Sequence, residues 1–168
     1  MPTFNTEAEI LKYAQSMIQK SQKTQKSNVR KTVGDANTRA VESEVYAKYT
    51  PEQYDRRGRR GGLADERNVE VISVQSSGNT TQVTLENMTL GNDSMRGEKI
   101  SDLIETGEGK WYNPNGAWSE PRPFVDVIVN ELNSTDELRN ALVKDLKNTG
   151  LDVVWCNLKY FTNNVYIK

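Results

Sequence analysis

Apolar residues in the first fifty positions recur with the spacing of a helix. Ile10, Leu11, Ala14, Met17 and Ile18 fall on one face behind Thr6-Glu7-Ala8-Glu9. That tetrapeptide reads as a capping box, in which the Thr6 hydroxyl accepts a backbone N–H and Glu9 reaches back. A helix over about 7–21 is predicted. The stretch from Lys20 to Ser27 is Lys/Gln-rich and lacks an apolar face, so a break or kink is expected there. From Val29, the positions Val33, Ala36, Ala40, Val41 and Val45 predict a second helix that stops before Pro51. Gly34 weakens it by up to about 1 kcal/mol relative to Ala.

The period changes to two in VEVISV (69–74) and TQVTLENM (81–88), separated by Ser76-Ser77-Gly78-Asn79. This is the pattern of a β-hairpin, with Val71, Val83 and Leu85 on its buried face. Ile100, Leu103 and Ile104 suit a short helix or strand. Phe124, Ile128 and Leu132 behind Pro123 predict a further helix. Ser134-Thr135-Asp136-Glu137 reads as a second capping box, followed by Leu138, Ala141, Leu142 and Leu146 on one face and by Gly150 as C-terminal cap. LDVVWCNLKYF (151–161) reads as a strand with which the terminal VYI can pair.

Two long loops are left, 50–68 and 106–123. The order of elements predicts an α+β fold, with long N-terminal helices and a C-terminal helix packed on a small antiparallel β-sheet. A single structural domain over 1–168 is expected, with 1–27 as an N-terminal helical segment.

A hydrophobic fraction of 35% points to a modest core with sizeable exposed segments. The chain has no histidine, which removes Ser-His-Asp and Cys-His nucleophile systems and His-ligated zinc. The single cysteine, Cys156, cannot close an intramolecular disulfide, and its neighbours Val154 and Leu158 mark it as a small buried hydrophobe. With 22 basic and 23 acidic side chains the net charge is -1, so any attraction to nucleic acid must be local. There is no signal-like N-terminus and no uninterrupted apolar run of about 18 residues, so a soluble product without a membrane partner is expected. Neither G-x-G-x-x-G nor G-x-x-x-x-G-K-[ST] occurs, and no cofactor is expected. A non-enzymatic binding or building-block role fits this composition.

The segment Arg56-Arg57-Gly58-Arg59-Arg60-Gly61-Gly62 concentrates four charges beside glycines, with Tyr49 and Tyr54 nearby. Its guanidinium forks suit a subunit contact or a phosphate patch, and the plainer reading is a solvated basic turn. Trp111, Tyr112 and Trp118 either fold back onto the core or anchor a partner. Glu98, Asp102, Glu105 and Glu108 are the acids from which a nuclease-type metal site would be built, but no spacing fixes them on one face. Asp65, Glu66 and Arg67 suit local turn contacts as well as catalysis.

Taken together and in order, several segments resemble the neck, or head-tail joining (tail-completion), proteins of long-tailed bacteriophages. Val45-Tyr46-Ala47-Lys48-Tyr49-Thr50-Pro51-Glu52-Gln53-Tyr54-Asp55-Arg56-Arg57-Gly58, then Gly61-Gly62-Leu63-Ala64-Asp65 and Asn68-Val69, is similar to that family's VY-x-x-Y-x-P-x-x-Y-x-RR-x-x-x-GGL-x-D-x-x-N segment. Ile104-Glu105-Thr106-Gly107, a tryptophan-containing loop and Pro121-Arg122-Pro123-Phe124 are similar to its later signature. The resemblance implies a virion subunit of a homo-oligomeric ring at the head-tail junction. Its partners would be connector or head-closure proteins on one side and tail tube or terminator proteins on the other, with transient contact to passing DNA. Tyr46, Tyr49, Tyr54, Arg56, Arg57, Arg59, Arg60, Trp111, Trp118, Arg122 and Phe124 are the candidate interface residues. A tail terminator or another minor virion protein fits the same class. A nucleic-acid-binding module using the arginine loop is the rival from outside it.

Overall fold

The computed structural model describes residues 3–48, 56–78, 80–91, 97–107 and 120–151, and the backbone of 166–167. Among these it is an α+β fold of five helices on a small sheet. Helix α1 spans Glu7–Gln22 and α2 spans Asn28–Ala40, so the expected break falls at Lys23–Ser27. Thr6 caps α1 by accepting from the Glu9 amide at 3.3 Å, but the Glu9 carboxylate reaches the Asn5 amide rather than that of Thr6.

Helix α2 is the central rod. Val29, Val33, Ala36 and Ala40 are buried along it, and α4 (Phe124–Ser134) packs on it through Phe124, Ile128 and Leu132. Helix α5 (Glu137–Asn148) adds Leu138 and Ala141 to the same core. Each such Val, Leu, Ile or Phe side chain stabilises the fold by roughly 1.5–3 kcal/mol if fully buried. The start of α2 is anchored twice. Ser27 Oγ accepts from the Arg30 amide at 3.1 Å, and the buried Asp145 carboxylate of α5 accepts from the Asn28 and Val29 amides at 2.7 and 3.0 Å. A carboxylate there satisfies donors the helix leaves unpaired and complements its dipole.

The hairpin pairs β1 (Val69–Ser77) with β2 (Thr80–Asn87), antiparallel. A bulge between Val71 and Ser73 expels Ile72, which is 47% exposed, and sets Val71 opposite Leu85 and Val74 opposite Val83 on one face. The Val71 and Val74 side chains, three residues apart, thereby share the core side. Helix α1 lies against the hairpin and touches both strands. Gln19 Nε2 donates to Ser76 Oγ at 2.7 Å, and the Gln25 amide, in the turn after α1, pairs with both backbone groups of Val71 at 3.1 and 3.3 Å. At Val71 the outer edge of β1 is thereby occupied. Tyr166–Ile167 forms β3, which pairs with β2 in parallel. The expected strand at 151–161 and Cys156 lie outside the described residues, save Leu151.

Residues 100–104 resolve to helix, within α3 (Ile100–Thr106). The chain returns to it at Arg122, whose amide donates to the Ile104 carbonyl at 2.9 Å. The second capping box is corrected. Ser134 is the last residue of α4, its hydroxyl donates back to the Glu131 carbonyl at 2.9 Å, and Asp136 flanks α5 without a side-chain cap. Gly150 does close α5 as expected: its amide donates to Lys147 and that of Leu151 to Leu146.

Candidate functional site

Beyond Ala40 the helix continues as a wider turn, Val41–Tyr46, in which the Ala47 amide donates to the Glu42 carbonyl five residues back at 2.9 Å. Such π turns are frequent at functional positions. Val41 and Val45 point into the core, while Glu42 and Tyr46 face the arginine segment. The Arg56 guanidinium lies 4.7 Å from the centre of the Tyr46 ring, and its Nη1 donates to the Tyr46 carbonyl at 2.9 Å. Burial pushes the Tyr46 phenol above its ordinary value, against the Ala64 backbone and the Arg56 and Arg57 charges. Arg59 makes a two-pronged contact with Glu42 at 2.8 and 2.9 Å, which holds the Glu42 carboxyl below its usual range.

The segment after these arginines is a knot inside the protein. Gly62, Leu63, Ala64 and Asp65 are all buried. A Cβ on Gly62 would stand 2.6 Å from the Gly58 carbonyl oxygen, so only glycine fits. The Asp65 carboxylate, 2% exposed, accepts from the Gly61 amide at 2.7 Å, the Arg67 amide at 3.0 Å and the Arg67 guanidinium at 2.9 and 2.6 Å. The Arg67 side chain is the main cause that holds this acid far below the usual carboxylate range. Asn37 and Asn87 both donate to the Leu63 carbonyl at 2.9 Å, Thr38 to that of Ala64 at 2.9 Å, and Asn68 to that of Gly62 at 3.0 Å. Buried carbonyls of an irregular segment need such partners.

Above this knot, Arg57 and Arg60 are exposed. Arg57 donates to the carbonyl of Leu90, whose side chain is 48% exposed. Three of the four arginines expected to act outward are therefore engaged within the chain: Arg56 on Tyr46, Arg59 on Glu42 and Arg57 on Leu90. Phe124 needs correction as an interface anchor. It is 1% exposed and fills the core between α2 and α3, because its side chain belongs to the buried face of α4. Arg122 is half-buried beside α3. Tyr49, Tyr54, Trp111 and Trp118 lie outside the described residues.

Asp65 and Arg67 make the local turn contact that was one of their two readings. Glu105 turns toward α4 and accepts from the Val125 amide at 3.2 Å. No group of three or more His, Cys, Asp or Glu side chains suited to a metal occurs among the described residues. Nor, among them, is any helix long and apolar enough to cross a membrane. The sequence reading missed Glu42, Leu90 and the buried amides Asn37 and Asn87. The available signal was the polar pair Asn37-Thr38 set between Ala36 and Ala40 of an otherwise apolar face.

A nearby surface groove is lined by Asp35, Thr38, Arg39, Arg59 and Ala64 to Arg67. Its charges are paired with opposite ones. Lys31 pairs with Asp35 at 2.9 Å and with Glu66 at 3.5 Å, and Arg39 pairs with Glu131 and with Glu137.

No curated protein and no solved structure matches the chain. A family model does, over residues 8–148, which take in α1 through the end of α5 and the whole arginine knot. The family is named after a gene of a Bacillus phage region, which associates it with phage. With most of its length matched, including every element that builds the site, the chain belongs to the YomN family.

Proposed function

We propose that this chain is a non-enzymatic virion subunit of the phage head-tail junction, assembled as a homo-oligomeric ring between connector or head-closure proteins and tail proteins. The observation that carries this reading is the arginine turn. Its backbone is fixed from below by Asp65, Asn37, Asn87 and Asn68, while Arg57, Arg60 and the Leu90 side chain remain at the surface. A contact surface that is already ordered loses little conformational freedom on binding, and an exposed apolar side chain beside guanidinium groups is the composition of an interface core. Ile10 and Leu11 of α1, 51% and 39% exposed, offer a second surface on a different element. Two unlike surfaces are what a heterologous ring requires. Membership of a phage-associated family supports the setting.

The internal engagement of Arg56 and Arg59 weighs against the arginine segment as a nucleic-acid site, since phosphate would have to displace existing partners. Light scattering across protein concentration, with and without short duplex DNA, tests the joining role. The expected result is a ring that assembles without DNA, from the chain alone or with head-closure protein. The R57A/R60A variant should fold normally and lose that assembly at least tenfold in midpoint concentration. Unchanged assembly in this variant sinks the reading of the arginine turn as a subunit contact.

A further inference from the structure

The net charge of -1 conceals a separation of charge along the chain. Residues 10–34 hold six basic side chains and no acidic one, which leaves a net of -7 for the rest. Arg30 and Lys31 are used internally, on the Glu66 carbonyl and on Asp35 and Glu66. Lys12, Lys20, Lys23 and Lys26 are different: all four are exposed and, among the described residues, none makes an ion pair.

At roughly 100° per residue, Lys12, Lys20 and the helix-capping Lys23 fall within an arc of about 80° on one face of α1. Along the axis they span about 16 Å, with Lys26 following in the turn to α2. Lys144 and Lys147, exposed on the adjacent α5, extend the same sign. The acids on these two helices stand away from this surface, Glu137 among them in the first turn of α5. Glu7 and Glu9 stand in the first turn of α1, and Asp145 is buried against α2. Attraction of the α1 and α5 C-terminal dipoles accounts for Lys20, Lys23 and Lys147, but not for Lys12, Lys26 or Lys144.

We infer that this lysine surface, and not the arginine turn, is where the chain meets the phosphate backbone of duplex DNA. Its length is about half a helical turn of duplex, and it consists of flexible point charges without guanidinium forks. Contacts of that kind are independent of sequence and weaken steeply with salt, so DNA is held loosely and slides. The inference goes beyond the joining role and does not depend on ring formation.

Fluorescence anisotropy of a labelled duplex, titrated with the full chain from low to moderate salt, tests it. The slope of log K against log salt should fall by about 3–4 in K12Q/K20Q/K23Q/K26Q, while R57A/R60A keeps the wild-type slope to within about 1. The variant with Lys→Arg at the same four positions should bind like wild type, and urea midpoints of all three should match wild type because every substituted side chain is exposed. An unchanged slope in the glutamine variant, no duplex binding by wild type at low salt, or tighter binding of polyglutamate than of DNA would each overturn the assignment. The arginine variant separates the two proposals, since it is expected to disturb assembly and leave DNA binding intact.

Discussion

Asp145 holds three segments with one side chain. Its carboxylate takes the Asn28 and Val29 amides, the Asn28 side chain at 2.7 Å and Gln22 Nε2 at 3.0 Å, joining α5 to the end of α1 and the start of α2. An amide in its place turns a donor toward donors, so D145N should cost on the order of 2–3 kcal/mol, read from urea unfolding. Nothing in the sequence marks this residue. An acid between Lys144 and Leu146 has the look of the solvated face of a helix, and its partners are more than a hundred residues away. Two acids should show opposite dependence on pH. Asp65 is held below its ordinary value of 3.8, so the stability it confers is complete above that value and disappears as pH falls. The deficit of D65N relative to wild type should therefore narrow in acid. Glu105 is pushed above 4.5 by burial, with the charge of Asp126 adding to it and the Val125 and Phe124 amides opposing. Its contribution is greatest below that value and declines as pH rises through the elevated one. E105Q should gain on wild type as pH rises past 4.5, and a flat difference in urea midpoint would contradict this reading.

At the scale of elements, the apolar spacing revealed where helices lie but not what they touch. Gly34 reads as a weak point of a helix, yet it is where α2 passes the short helical turn Glu66–Asn68. A Cβ there would stand 2.9 Å from the Glu66 carbonyl oxygen. G34A should thus lower stability despite the gain in helix propensity of about 1 kcal/mol. Ser134 is the converse case. As a cap its loss would cost about 1 kcal/mol, but with its hydroxyl turned back to Glu131, S134A is expected to change stability by less than about 0.5 kcal/mol. The capping box was read from local pattern and went astray where a neighbour decides, whereas the hairpin formed as expected, with Val71, Val83 and Leu85 toward the core. Helix α4 absorbed Ser134, and the Ile72 bulge appears in the sequence only as a spacing of three between Val71 and Val74.

For the whole molecule, the order of helices and hairpin was legible because amphipathic period is written into the chain. The role of the arginines was not, because it depends on which carboxylate or carbonyl folding brings beside each one. Arg59 and Glu42 are seventeen residues apart, and Arg57 and Leu90 thirty-three. The glycine-rich motif read as an outward contact loop, and its continuation, residues 62–65, is buried and held by amides of α2 and β2. N37A should loosen it, leaving the Leu63 carbonyl one donor short and the Asn87 amide without the Asn37 oxygen that it reaches at 3.1 Å. The expected sign is faster proteolysis next to Gly61 at nearly unchanged helix content, with a loss of about 1–3 kcal/mol.

The π turn at Val41–Tyr46 amounts to a normal helix carrying one residue too many. Wound as a regular helix, the same residues would turn about 100° further around the axis and carry Tyr46 out from under Arg56. One surplus residue thus acts as the indexing pin that sets the angle at which the arginine turn is presented.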